Sequence, residues 1–238
     1  MNLFSQAQCL ICHEIIQPKM GWKAIFSEEK GLNLCPTCEG KFDLIEGEQC
    51  RVCSRPFQSL DERFRHGDLC HDCKRWEEDD DWKGYLDSNH SIYRYNDFFK
   101  EVMATFKYRG DYVLAIIFAE KIKDLISQLQ PDLIVPIPLS SERLYERGFN
   151  QAEALLVESG LTPKKPLTRI HSEKQSKKSR SERIHIPQVF EVDRHIEIPG
   201  KNILLIDDIY TTGSTLRHAA KLLKESGAKR VQSLTLAR

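Results

Sequence analysis

The stretch from residue 201 to 236 constrains the fold of this chain more than any other, because it spells a complete strand–turn–helix–strand unit. Ile203, Leu204, Leu205 and Ile206 are four apolar residues in a row, so the strand they form has no face suited to water and must be covered on both sides. Asp207 and Asp208 end it, and a turn rich in hydroxyls passes through Gly213. A helix follows over 215–226 with Gly227 as its C-cap, and a second strand runs over 231–236.

The turn reads as an anion site. Backbone N–H groups and hydroxyls of Tyr210, Thr211, Thr212, Gly213, Ser214 and Thr215 lie at the positive end of the following helix, where a phosphate is stabilised. Gly213 lets the backbone approach such a ligand closely. The alternation of the strand relaxes at its end, so both carboxylates can point to the same ligand. The bland alternative is a buried strand ending in a capped helix, whose Asp and Thr serve only the backbone. A Walker B strand is set aside, because no G-x-x-x-x-G-K-[ST] segment occurs in the chain.

Residues 203–215 resemble the thirteen-residue 5-phosphoribosyl-1-pyrophosphate motif of type I phosphoribosyltransferases. The resemblance implies an α/β fold of that type, a parallel sheet flanked by helices. It also implies a turn that holds the 5′-phosphate. Asp207 and Asp208 then hold the ribose 2′- and 3′-hydroxyls, directly or through Mg²⁺, and offset positive charge growing at C1′. A loop receiving the pyrophosphate is expected as well, and the strand Ile134-Val-Pro-Ile-Pro138 running into Leu139, Ser140 and Ser141 is similar to it in position and order. Just beyond, in R-x-x-x-R-G-F-N-Q, Arg143 and Arg147 stand at i, i+4 and present guanidinium forks to phosphate oxygens from one helix face, or else form a solvated face. Lys107 and Arg109 close a helix with cations, which either offset its dipole or reach the ligand.

The first third is set by cysteine. All eight Cys precede residue 74, as Cys9/Cys12, Cys35/Cys38, Cys50/Cys53 and Cys70/Cys73, each a C-x-x-C knuckle. Two knuckles make one tetrahedral thiolate site of the kind Zn²⁺ prefers, so four imply two structural zinc sites. Intervals of zinc-ribbon length favour pairing the first knuckle with the second and the third with the fourth. A cross-braced arrangement stays open. A redox dithiol does not need four pairs, and haem attachment at Cys9-Leu-Ile-Cys12-His13 belongs to exported chains. Metal supplies the stability that so short and polar a segment lacks in core.

Charge separates the same halves. Residues 1–81 hold 10 Lys/Arg against 16 Asp/Glu, and residues 82–238 hold 25 against 19, within a chain of 238 whose formal charge is zero. The expected domains are therefore 1–80, a double zinc ribbon, and 90–238, the phosphoribosyltransferase-like domain. Helices are expected from Tyr95 to about Arg109, over 112–129 and over 142–158, with a strand over 132–138. Residues 160–190 read as a mobile basic loop in which Lys174, Lys177, Lys178, Arg180 and Arg183 fold over pyrophosphate, contact a nucleic-acid backbone, or are merely solvated. The start lacks a basic segment followed by an apolar core, and no apolar run is long enough to span a bilayer, so a cytoplasmic protein, peripheral at most at the inner face of the membrane, is expected.

Taken in order, the C-x-x-C-rich start, K-Y-R-G-D, V-P-I-P-L, E-R-G-F-N-Q, E-K-Q-S-K-K and L-I-D-D-I-Y-T-T-G-S-T resemble the ComF family of late competence proteins over nearly the whole chain. That resemblance implies a role in natural transformation, working with single-stranded DNA beside the competence helicase ComFA. Two functions follow as expectations. One is a protein that binds the ribose pyrophosphate, or grips single-stranded DNA on that scaffold, without turnover. The other is an active phosphoribosyltransferase with an unknown nitrogen acceptor. A third reading makes the zinc module an adaptor, against which its acidic balance argues.

Overall fold

The computed structural model describes residues 7–16, 33–170 and 189–238. The first part is made of short pieces: helix α1 (Pro36–Glu39), the hairpin β1 (Arg65–His66) and β2 (Leu69–Cys70), and helix α2 (His71–Glu78). Then come β3 (Ser88–Tyr93), α3 (Asp97–Tyr108), α4 (Ala115–Leu129), β4 (Leu133–Pro136), α5 (Ser141–Arg147), α6 (Gln151–Glu158), β5 (Leu167–Arg169), β6 (Phe190–Val192), β7 (Asn202–Ile209), α7 (Ser214–Glu225) and β8 (Arg230–Ala237).

Four strands form the main sheet in the order β3-β8-β7-β4, all parallel. Because side chains alternate along a strand, the apolar run of β7 serves two cores at once. Leu204 and Ile206 face α3, α4 and α6, packing with Phe99, Phe106, Phe118 and Leu155. Ile203 and Leu205 face the other way, onto α7 and the β5–β6 hairpin. The expected strand thus lies at the centre of the sheet, with its acidic end carried beyond the neighbouring Pro136 of β4.

Helices α3 and α4 fall where periodicity placed them, the second entered through a 3-10 turn at Tyr112–Leu114. The helix expected over 142–158 is instead two. Gly148 takes φ +77 and ends α5, and Asn150 then caps α6 by accepting from the N–H groups of Ala152 and Glu153. The basic loop expected over 160–190 is also corrected at its ends, because β5 and β6 pair there antiparallel, Thr168 opposite Glu191.

The cysteine-rich part is built onto this domain. Leu44 bridges Tyr93 antiparallel, and the N–H of Ile45 donates to the Ile92 carbonyl at 2.9 Å, so residues 43–45 extend the sheet beyond β3. Ser54 Oγ donates to the Asn89 carbonyl at 2.6 Å, and Asn89 N–H donates to Val52 O at 2.6 Å. The third and fourth knuckles belong to the same apolar cluster as Ile203, Leu205 and the inner face of α7. Among the described residues, no helix is long and apolar enough to cross a membrane.

Candidate phosphate site and metal centres

The turn sits where β7 leaves the sheet. Gly213, at φ +77, opens α7, and Thr212 Oγ1 accepts from Ser214 N–H at 3.4 Å. Thr211 and Thr212 are exposed, Ser214 and Thr215 half-buried, so the hydroxyls of the turn border solvent at the positive end of a twelve-residue helix. Tyr210 does not share that exposure. Its ring is buried in the core beneath the turn, and its backbone N–H donates to the Ala237 carbonyl at 2.9 Å. A Cβ on residue 213 would overlap the Tyr210 hydroxyl, so glycine is needed for contact as well as for φ.

Two carboxylates lie beside the turn in different surroundings. Burial, then the charge of neighbouring Asp208, push Asp207 up to about 7, against the partial relief of Lys107 and Arg169. Asp208 is held by Lys107, whose Nζ lies 2.8 Å from Oδ2, with Arg147 Nη1 at 3.9 Å from the same oxygen. Arg147 also donates to Gln151 Oε1 at 2.8 Å and lies 5.9 Å over the ring of Tyr108. The last turn of α3 and the last turn of α5 therefore both deliver a cation to the end of β7. What they can do there is neutralise a polyanion held over the carboxylates.

Other residues singled out from the sequence are distributed less uniformly. Leu139 and Ser140 are half-buried on the loop after β4, where Ser140 Oγ caps α5 by accepting from Arg143 N–H at 3.3 Å. Asn150 ties that loop down, donating to Ile137 O at 2.9 Å. Arg143 and Arg109 are exposed. Lys174, Lys177, Lys178, Arg180 and Arg183 lie outside the described residues. Arg169, which sequence reasoning passed over, is half-buried on β5 within electrostatic reach of both Arg143 and Asp207. Its only sequence signal is membership of the basic stretch, which does not distinguish it from the lysines around it.

The cysteines form two tetrads, Cys9/Cys12/Cys35/Cys38 and Cys50/Cys53/Cys70/Cys73, with all sulfurs of a tetrad within 4.8 Å of one another. The sequential pairing is the one observed. Backbone N–H groups donate to sulfur in both, Cys38 N to Cys35 Sγ at 3.4 Å and Cys70 N to Cys50 Sγ at 3.3 Å, an arrangement that stabilises thiolates. Four soft donors so placed fit Zn²⁺, with metal–sulfur bonds of about 2.3 Å. Cys12 is exposed in the first tetrad, whereas all four cysteines of the second are buried.

Comparison with known proteins bears on the fold and the family. The model of the phosphoribosyl transferase domain family matches residues 113–238. The chain is 39% identical over 234 residues to the competence protein ComFC of Bacillus subtilis strain 168, covering 97% of this chain and 94% of that protein. It is 32% identical over 232 residues to ComFC of Streptococcus pneumoniae, covering 97% and 100%. Against the DNA utilization protein YhgH of Escherichia coli K12 the identity is 34% over 121 residues, 45% of this chain and 50% of that one.

Proposed function

This chain belongs to the ComF family of competence proteins, and from that membership and the geometry at the end of β7 we propose that it binds 5-phosphoribosyl-1-pyrophosphate with Mg²⁺ in the service of DNA uptake. The observation that carries the reading is the convergence of Lys107 and Arg147 on Asp208, beside a hydroxyl-rich turn that opens α7. The turn takes the 5′-phosphate, the two acids take the ribose hydroxyls, and Lys107, Arg147 and the loop at Leu139 and Ser140 take the pyrophosphate. Lys107 then exchanges Asp208 for a phosphate oxygen. Asp207 and Asp208 would hold Mg²⁺, which would neutralise part of the ligand's negative charge. The two tetrads hold zinc structurally.

Calorimetric titration of the ligand with Mg²⁺ into wild type and an Asp207→Asn/Asp208→Asn variant tests this. Affinity should fall by about tenfold or more in the variant, the value of losing charge-assisted contacts. Equal affinity removes the assignment.

Turnover is a second reading, favoured by the same cations, which lie where a leaving pyrophosphate needs neutralising. A nitrogen nucleophile would form its bond to C1′ as the C1′–O bond to pyrophosphate breaks, with Asp207 and Asp208 holding the sugar. Pyrophosphate release on adding candidate bases to the liganded protein separates the readings, and none released leaves binding alone.

Single-stranded DNA and the helicase ComFA enter as partners through the family. Support for a DNA contact comes from Tyr108 and Tyr145, 73% and 92% exposed, interleaved with exposed Arg109 and Arg143 as stacking faces and cations. Titration of oligothymidylate into a Tyr108→Ala/Tyr145→Ala variant examines it, and unchanged affinity moves the contact elsewhere.

A further inference from the structure

We propose that the metal centre of Cys50, Cys53, Cys70 and Cys73 is the base on which the phosphate-binding turn is set, with Arg217 and Arg238 as positioning residues that tie its thiolates to Tyr210 beneath the turn. The inference rests on residues 210–215 being that turn.

The two tetrads differ in what they touch. Cys50, Cys53, Cys70 and Cys73 share one apolar cluster with Tyr210, Leu216, Ala219 and Ala220, whereas the first tetrad packs apart from it with Ile16, Leu34 and Phe98. Around the second tetrad, buried cations are left with donors to spare. Arg217 has no exposure at all, spends Nη1 on Glu77 Oε1 at 3.0 Å, and keeps Nε and Nη2 without a partner among the described residues. Arg238 lies 4.6 Å over the ring of Tyr210, with Nε and Nη1 likewise buried and without a partner among the described residues. The Tyr210 hydroxyl is a third such group.

Buried guanidinium groups whose N–H donors are only partly met are costly, so a further anion is called for nearby. Four thiolates around one Zn²⁺ leave two negative charges. The second tetrad is in the right place to supply them, because Arg217 lies within electrostatic reach of Cys73 and Arg238 within reach of Cys53. Arg55 also lies near Cys53 and Cys70, but shares its charge with Asp72 at 2.8 Å.

From these groups the path to the turn is short. Tyr210 lies so close under Gly213 that its position dictates the backbone above it. On the outer side, Trp76, three residues after Cys73 on α2, donates from Nε1 to the Thr212 carbonyl at 3.2 Å, and the Arg217 guanidinium lies 5.0 Å over its ring. The turn is thus held from below through Tyr210 and from the side through α2, and both supports are anchored at the second tetrad.

The test uses the full-length, zinc-loaded protein without ligand and reads two quantities: the rate at which each metal passes to a chromogenic chelator, and amide hydrogen exchange over 209–215. Cys73→Ser should raise exchange over 209–215 about tenfold, while Cys12→Ser in the first tetrad leaves it unchanged. Arg217→Gln and Arg238→Gln should each release one of the two metals about tenfold faster than wild type, the other being retained, and Arg238→Lys should stay near wild type. Unchanged exchange in Cys73→Ser overturns the proposal, as does wild-type metal release in both glutamine variants. Where a variant does not fold, the exchange measurement is made on wild type stripped of metal by limited chelation and compared with its reloaded form. No readout involves the ribose pyrophosphate, so failure of the ligand assignment would show in the calorimetric titration and not here.

Discussion

Asp207 carries the sharpest consequence of the site's local chemistry. In the folded protein its carboxyl is pushed up to about 7 by burial and by Asp208, whereas an unfolded chain titrates it near 4. Between those values the native state holds a proton that the unfolded state has released, so this group's contribution to stability falls as pH rises from about 4 to about 7 and is level above. Asp208, Lys107 and Arg169 are the charges that act on it. Asp207→Asn should therefore melt higher than wild type in the ligand-free state, by about 3 °C at pH 8, with a smaller gap at pH 5.5. A scan of melting temperature against pH checks this, and an asparagine variant less stable than wild type at pH 8 contradicts the assigned environment. Asp207 and Asp208 stand out in the sequence because they follow a plain apolar strand and Lys107 because it closes a helix of plain apolar period, while Arg147 is marked only by its i, i+4 spacing from Arg143. Arg169 does not stand out, because a cation on a two-stranded hairpin looks like any other cation in a basic stretch. The inward turn of Tyr210 was also hidden, since a ring after an acidic pair gives no sign of which way it faces.

At the scale of elements, the loop after β4 depends on one side chain. Asn150 caps α6 through the N–H groups of Ala152 and Glu153 and donates to Ile137 O, so it sets both the start of that helix and the shape of the loop carrying Leu139 and Ser140. Asn150→Ala should cost about 1–2 kcal/mol, and Asn150→Asp, which still accepts but cannot donate to Ile137, an intermediate amount. Chemical denaturation of the three proteins measures it, and equal midpoints for wild type and alanine variant would remove Asn150 from this role. Most elements could be read ahead of the structure from apolar period and caps, α3, α4, β4, β7, α7 and β8 among them. Strand β3 could not. Its sequence, Ser-Asn-His-Ser-Ile-Tyr, has no alternation of apolar and polar residues, because part of its inner side is a polar network. Asn89 Nδ2 donates to Ser91 Oγ at 2.8 Å, Ser91 and Thr235 hydroxyls meet at 2.8 Å, and Ser233 Oγ donates to Asn89 Oδ1 at 2.8 Å. Helices α5 and α6 merged in the sequence reading because apolar spacing continues across Gly148, while the break is made by backbone conformation.

For the molecule as a whole, the change of composition near residue 80 marks where cysteine ends, while the core runs through it. Phe57, Leu86, Val231, Leu223 and the second tetrad share one cluster, and Glu77 pairs with fully buried Arg217 at 3.0 Å. A fragment of residues 81–238 would expose that face and strand a buried cation, so it should bind a hydrophobic dye and lose its cooperative melting transition. A sharp transition near the full-length value would show the two parts to be independent. The central claim concerns the turn that opens α7, and the crystal structure of the full chain soaked with Mg²⁺ and 5-phosphoribosyl-1-pyrophosphate tests it most directly. The account predicts the 5′-phosphate within about 2.7–3.2 Å of the amides of residues 211–215, ribose over Asp207 and Asp208, and Lys107 moved from Asp208 to the pyrophosphate. A ligand bound elsewhere, or held with the Lys107–Asp208 pair intact and the turn empty, would contradict it.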